Sequence, residues 1–137
     1  MKTFPDLGAM MDAFAQAAAS EARTAFRRRL DFTPASIEEL DEILVQLGES
    51  PERDDLEFEV KLWGSYLGEV VRRLYAGNWE MTQYPGQQHS MPAVEIRGSR
   101  IFPLLKVHRR LTNGEEEDLE SFFAKVRERL GAPAHVN

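Results

Sequence analysis

Leu56-Glu57-Phe58-Glu59-Val60-Lys61-Leu62-Trp63-Gly64-Ser65-Tyr66-Leu67-Gly68-Glu69-Val70-Val71-Arg72-Arg73-Leu74-Tyr75 is the stretch that decides the fold. Leu56, Val60, Trp63, Leu67, Val70 and Leu74 recur at four- and three-residue spacing, the period of a helix. Gly64, Gly68, Val71 and Tyr75 form a neighbouring stripe. Together the stripes cover more than half the circumference, so this helix is predicted to lie between two layers. Glycine inside a helix costs about 1 kcal/mol against alanine. Two of them, four residues apart, are predicted to mark places where another element comes close to the backbone. The remaining strip holds Lys61, Ser65, Glu69, Arg72 and Arg73. It reads as a solvated or sheet-edge ion-pair face, or as one wall of a polar cleft. Glu69 and Arg73 stand in the favourable acid-first order for a helix pair.

Upstream, Leu7, Met11, Phe14, Ala18, Ala22 and Phe26 predict a first helix from about Asp6 to Arg29. Leu30 to Thr33 has the character of a short extended piece before Pro34. Ser36-Ile37-Glu38-Glu39 reads as a capping box opening a second helix that Gly48 ends. Glu49 to Asp55 is a polar connection, and Gly77 is read as the C-cap of the central helix.

Downstream the period changes. Asn78 to Tyr84, Ala93 to Ile96 and Ile101-Phe102 alternate as strands, with Arg97-Gly98-Ser99-Arg100 as a hairpin turn. Pro103 opens a fourth helix with Leu104, Val107, His108 and Leu111 inward. Glu115 to Asp118 then crowd the first turn of a fifth helix, whose buried face is Leu119, Phe122, Phe123, Val126 and Leu130. The predicted class is α+β: four to five helices on a small three- to four-stranded antiparallel sheet, with the helix at about 56–76 central. The chain reads as a single domain, with an N-terminal helix in 1–30, an α+β body in 31–131 and a flexible tail in 132–137.

Composition narrows the function classes. The chain has 137 residues, 42% apolar and 29% charged, enough for a core without staples. It has no cysteine, which excludes disulfides and thiolate chemistry. A net charge of −6 argues against broad nucleic-acid binding, and no apolar run reaches the roughly 20 residues that span a bilayer. A cytoplasmic location is expected.

The ordered set Trp63-Gly64-Ser65-Tyr66-Leu67-Gly68-Glu69-Val70-Val71-Arg72-Arg73, then Trp79, Phe102-Pro103, Lys106-Val107 and Arg110-Leu111-Thr112-Asn113-Gly114-Glu115-Glu116, resembles a loosely defined family. Its members are small bacterial cytoplasmic domains of unknown function, some of them immunity-protein-like. The resemblance covers 56–130. It implies a protein partner, a toxin in the immunity case, and brings no catalytic residues with it.

The residues themselves offer little catalytic chemistry. Ser65 follows Gly64 directly, which is the wrong spacing for a Gly-x-Ser-x-Gly elbow. His89, His108 and His135 lack metal-ligand spacing, so no metal and no cofactor are expected. Lys106, Arg109 and Arg110 form a local basic cluster, read as charge placement at a helix end or as a docking patch for an acidic partner. The uncharged polar loop Gln83 to Ser90 is a natural recognition element. The candidate partner-binding residues are therefore Glu69, Arg72, Arg73, Trp79, Tyr84, Gln87 and His89. The leading expectation is a non-enzymatic protein-binding domain, monomer or homodimer. The alternatives are a small polar ligand-binding or enzymatic domain built on Glu69, Arg72, Arg73 and Trp79, and a structural homodimer.

Overall fold

The structure is a computed structural model that describes residues 4–49 and 55–131. The expected tail 132–137 and most of the expected polar connection, 50–54, lie outside the described residues. The order is α1 (Leu7–Ala25), α2 (Ser36–Glu49), α3 (Leu56–Tyr75), β1 (Asn78–Gln83), β2 (Ser90–Ile96), β3 (Ser99–Ile101), α4 (Pro103–Asn113) and α5 (Leu119–Leu130). The strands form one antiparallel sheet in the order β1-β2-β3. Trp79 pairs with Val94, and Val94 with Ile101. The α+β class is thus shown. The sheet has three strands among the described residues, and Leu30 to Phe32 does not join it.

α3 is the hub. Every residue from Leu62 to Val71 is buried. α1 packs along one side of it and α4 along another, while β2 also touches it. The two glycines are where these elements come closest. A Cβ on Gly64 would sit 2.8 Å from the Cα of Leu104 in α4. A Cβ on Gly68 would sit 2.1 Å from Cη2 of Trp79 and 2.9 Å from Cγ of Pro103. Both glycines therefore trade helix propensity for contact.

α1 uses its small residues. Met11, Ala15, Ala18 and Ala22 are buried, and α1 lies over the strip of α3 that holds Ser65 and Glu69. The Ser65 hydroxyl faces Met11 Sδ at 3.9 Å. The strip read from sequence as a solvated face is in the core at both residues. Polarity alone could not reveal this, because the covering helix lies more than forty residues upstream.

Local signals were redirected by long-range partners. Ser36 does not cap α2: its Oγ donates to the Thr33 carbonyl at 2.6 Å and lies 2.6 Å from the Tyr66 hydroxyl. Glu39, its supposed partner, binds Arg28 at 2.7 Å. The Tyr66 hydroxyl also accepts from the Phe32 N–H at 2.7 Å, and its ring lies 4.8 Å from that of Phe32. Phe32 has φ +66°, a left-handed conformation that a bulky residue adopts only when its surroundings hold it there. α1 ends at Ala25 rather than near Arg29, since Arg27 turns left-handed at φ +56°.

At the end of α3 the left-handed residue is Ala76, φ +55°, and Gly77 follows it. A Cβ on Gly77 would lie 2.7 Å from Ile96 Cγ1 and 2.9 Å from the Glu95 carbonyl oxygen, so the constraint is contact rather than backbone angle. In α4 His108 is exposed rather than inward, and Arg110 takes the inward place. Asp41 of α2 accepts from Arg110 Nε at 2.8 Å and from the Leu119 N–H at 3.2 Å, tying α2, α4 and α5 together. The acidic run after Gly114 forms a 3₁₀ turn, and Asp118 caps α5 by accepting from the Ser121 N–H.

Candidate functional site

The seven residues singled out by sequence fall into two places. Glu69, Arg72, Arg73 and Trp79 form a closed hub. The Glu69 side chain is 1% exposed. Its Oε2 accepts from Arg72 Nε at 2.7 Å and from Trp79 Nε1 at 2.7 Å. Its Oε1 accepts from Arg72 Nη2 and Arg73 Nε, both at 3.0 Å. Burial pushes this carboxyl's pKa up. The Arg72 guanidinium, the Trp79 indole N–H and Arg73 outweigh that and hold it below the usual carboxylate range. Arg73 reaches further, donating to Asp12 of α1 at 2.9 Å and lying 3.8 Å from the centroid of the Phe32 ring. Four donors converge on two oxygens, so Glu69 has no lone pair left to offer a visitor. Arg72 and Arg73 are about one-third exposed, but the carboxylate between them joins α3 to β1, and Arg73 carries the network on to Asp12 of α1.

The other place lies beyond the end of β1. Tyr84 packs edge-on against Phe102 at 5.0 Å and lines a half-open cleft of about 570 Å³ between the sheet, α4 and α5. Gln87 and His89 are exposed on the adjoining β1–β2 connection, whose turn closes by the Gln87 N–H donating to the Tyr84 carbonyl. The structure does not bring them to Glu69.

The cleft has an apolar floor and a basic rim. Ile101 and Val126 are buried in it, beside Phe102, Leu105 and Phe122. Five cations line it: Arg100 of β3, Lys106 and Arg109 of α4, Lys125 and Arg129 of α5. No acidic side chain lines it among the described residues. Arg100 pairs with Glu80 at one margin, and Lys106 with Glu117 at 2.8 Å at another. Lys106 and its neighbours hold the Glu117 carboxyl below its ordinary range. Arg109, Lys125 and Arg129 have no hydrogen-bonded acid among the described residues. Arg109 instead lies 5.7 Å from the centroid of the Tyr84 ring, a contact that orients the guanidinium and leaves its N–H groups free.

Sequence reasoning found Lys106, Arg109 and Tyr84 but missed Lys125, Arg129 and Phe122. The available signal was the four-residue spacing of Lys125 and Arg129 on one face of α5, a like-charge pair that is unfavourable by itself.

Among the described residues no group of three or more His, Cys, Asp or Glu could hold a metal, and no helix is long and apolar enough to cross a membrane. Comparison with family models, with curated proteins and with solved structures gives no match.

Proposed function

We propose that the protein is a non-enzymatic protein-binding domain, and that the cleft bounded by Tyr84, Arg109 and Arg129 is its recognition site. The observation that carries this reading is charge segregation. A chain of net charge −6 lines one aromatic-floored cleft with five cations and, among the described residues, no acid; Glu80 and Glu117 at its margins hold Arg100 and Lys106, and Arg109, Lys125 and Arg129 are left without a hydrogen-bonded acid. A hydrophobic centre with a polar rim is the anatomy of an interface, and arginine and aromatic side chains dominate binding energy. The resemblance of 56–130 supports a bacterial, cytoplasmic setting and toxin immunity as the specific form of that binding. A site on Glu69 is disfavoured because its oxygens are saturated within the fold.

The test is quantitative co-purification from native cells with wild type and with Arg109→Glu/Arg129→Glu. Both positions lie outside the core, so stability is expected to change by no more than about 0.5 kcal/mol. Partner recovery is expected to fall by at least about tenfold, the loss that follows from removing an arginine that anchors an interface. Equal recovery by both proteins would reject the cleft as the recognition site.

A further inference from the structure

From the arrangement of the cleft we infer what occupies it: an acidic peptide segment of the partner that inserts an apolar side chain between flanking carboxylates. This rests on the cleft being the recognition site. Three features of the wall support it.

The first is layering. Buried Ile101 and Val126, with half-buried Phe102, Leu105 and Phe122, form the bottom, whereas Lys125 and Arg129 are exposed at the edge. Such a wall takes an apolar group inward and negative charge outward.

The second is multiplicity. Arg109 comes from α4, and Lys125 and Arg129 come from α5. All three lack a hydrogen-bonded acid among the described residues, with Arg109 and Lys125 only in electrostatic reach of Glu117, while Arg100 and Lys106 are already held by Glu80 and Glu117. Several carboxylates along a chain satisfy cations on two helices at once, and relieve the repulsion between Lys125 and Arg129 as they bind.

The third is form. The cleft is half open, so a segment can lie along it and lower one side chain into it without being enclosed. Half-buried Tyr84 holds Arg109 ready, which reduces the ordering cost on binding.

The experiment is a ¹⁵N-resolved NMR titration of the full chain with synthetic peptides. The first probe is acetyl-Glu-Glu-Leu-Phe-Glu-Glu-amide. The second replaces its glutamates by glutamine, and the third replaces Leu-Phe by Gly-Ser. Sodium benzoate and a short oligothymidylate complete the set.

The first peptide is expected to shift the amides of Tyr84, Leu105, Arg109 and Leu130. Arg109→Ala/Arg129→Ala and the two altered peptides should each weaken it by at least about tenfold. Raising the salt concentration should weaken it further. Equal binding of the glutamine peptide, or of the peptide without Leu-Phe, would overturn the acidic or the apolar half of the inference. Benzoate binding as tightly would make the occupant a small organic anion, and tighter binding of the oligonucleotide would make it a nucleic acid. Either result overturns the peptide assignment. If no probe moves these amides while co-purification still depends on Arg109 and Arg129, the recognition site stands and the acidic segment is wrong. If neither is seen, both fail.

Discussion

Replacing Glu69 by glutamine is expected to destabilise the protein by about 2–3 kcal/mol and to lower Tm by about 10 °C. The amide keeps the shape but supplies one acceptor and one donor group where four N–H donors converge. Removing one partner of a fully buried pair costs about 3–5 kcal/mol. Here the figure is set lower, because Arg72 and Arg73 are about one-third exposed and can turn to water, and Arg73 keeps Asp12.

The pH dependence fixes the cause. The folded-state pKa of Glu69 is depressed. Its contribution is therefore present above the ordinary glutamate value of about 4.3 and is lost as pH falls through the folded value. Denaturant melts should show the largest gap between wild type and Glu69→Gln at neutral pH, shrinking below about pH 4. No gap at neutral pH, or a gap that does not change down to acid conditions, would show that the charge of Glu69 does not hold the hub.

Gly68→Ala is expected to destabilise by about 3 kcal/mol, at the upper end for overpacking, although alanine in an open helix would gain about 1 kcal/mol over glycine. The new methyl group would meet the Trp79 ring at 2.1 and 2.5 Å, and Pro103 at 2.9 Å. The indole is rigid and must move bodily. Doing so takes its Nε1 away from Glu69 Oε2, now 2.7 Å distant. Packing and hydrogen bonding are lost together. Combining Gly68→Ala with Trp79→Leu should then cost less than the sum of the two single changes, because they share one contact. A thermal melt unchanged or raised by Gly68→Ala would refute the close approach.

What could be read from sequence follows the range of the physics involved. Helical period is local, so the five α-helices among the described residues were legible, and the stripes of α3 correctly placed it between layers. The cost of interior glycine is local as well, and it pointed to Gly64 and Gly68 without naming Leu104 or Trp79. The assignments that changed depended on distant chain. Ser36 turned to Tyr66, thirty residues away, instead of capping α2. Arg110 displaced His108 from the inward face because Asp41 waits there, 69 residues upstream. Glu69 looked like a surface acid because its own helix supplies two arginines, whereas α1 and Trp79 make it a core residue.

The cleft was half legible. Lys106 and Arg109 were visible as a cluster and Tyr84 as a candidate partner-binding residue. Only the packing of α5 beside them adds Lys125, Arg129 and Phe122 and turns a basic patch into a lined cleft.

The claim that this cleft is the recognition surface is tested most directly by site-specific photo-crosslinking in living cells. Benzoylphenylalanine is placed at Gln83, exposed on the cleft wall, and as a control at Glu21, exposed on α1. A discrete protein adduct is expected from position 83, absent from position 21 and lost on adding Arg109→Glu/Arg129→Glu. An adduct from position 21 alone, or one from position 83 that survives the charge reversal, would contradict it.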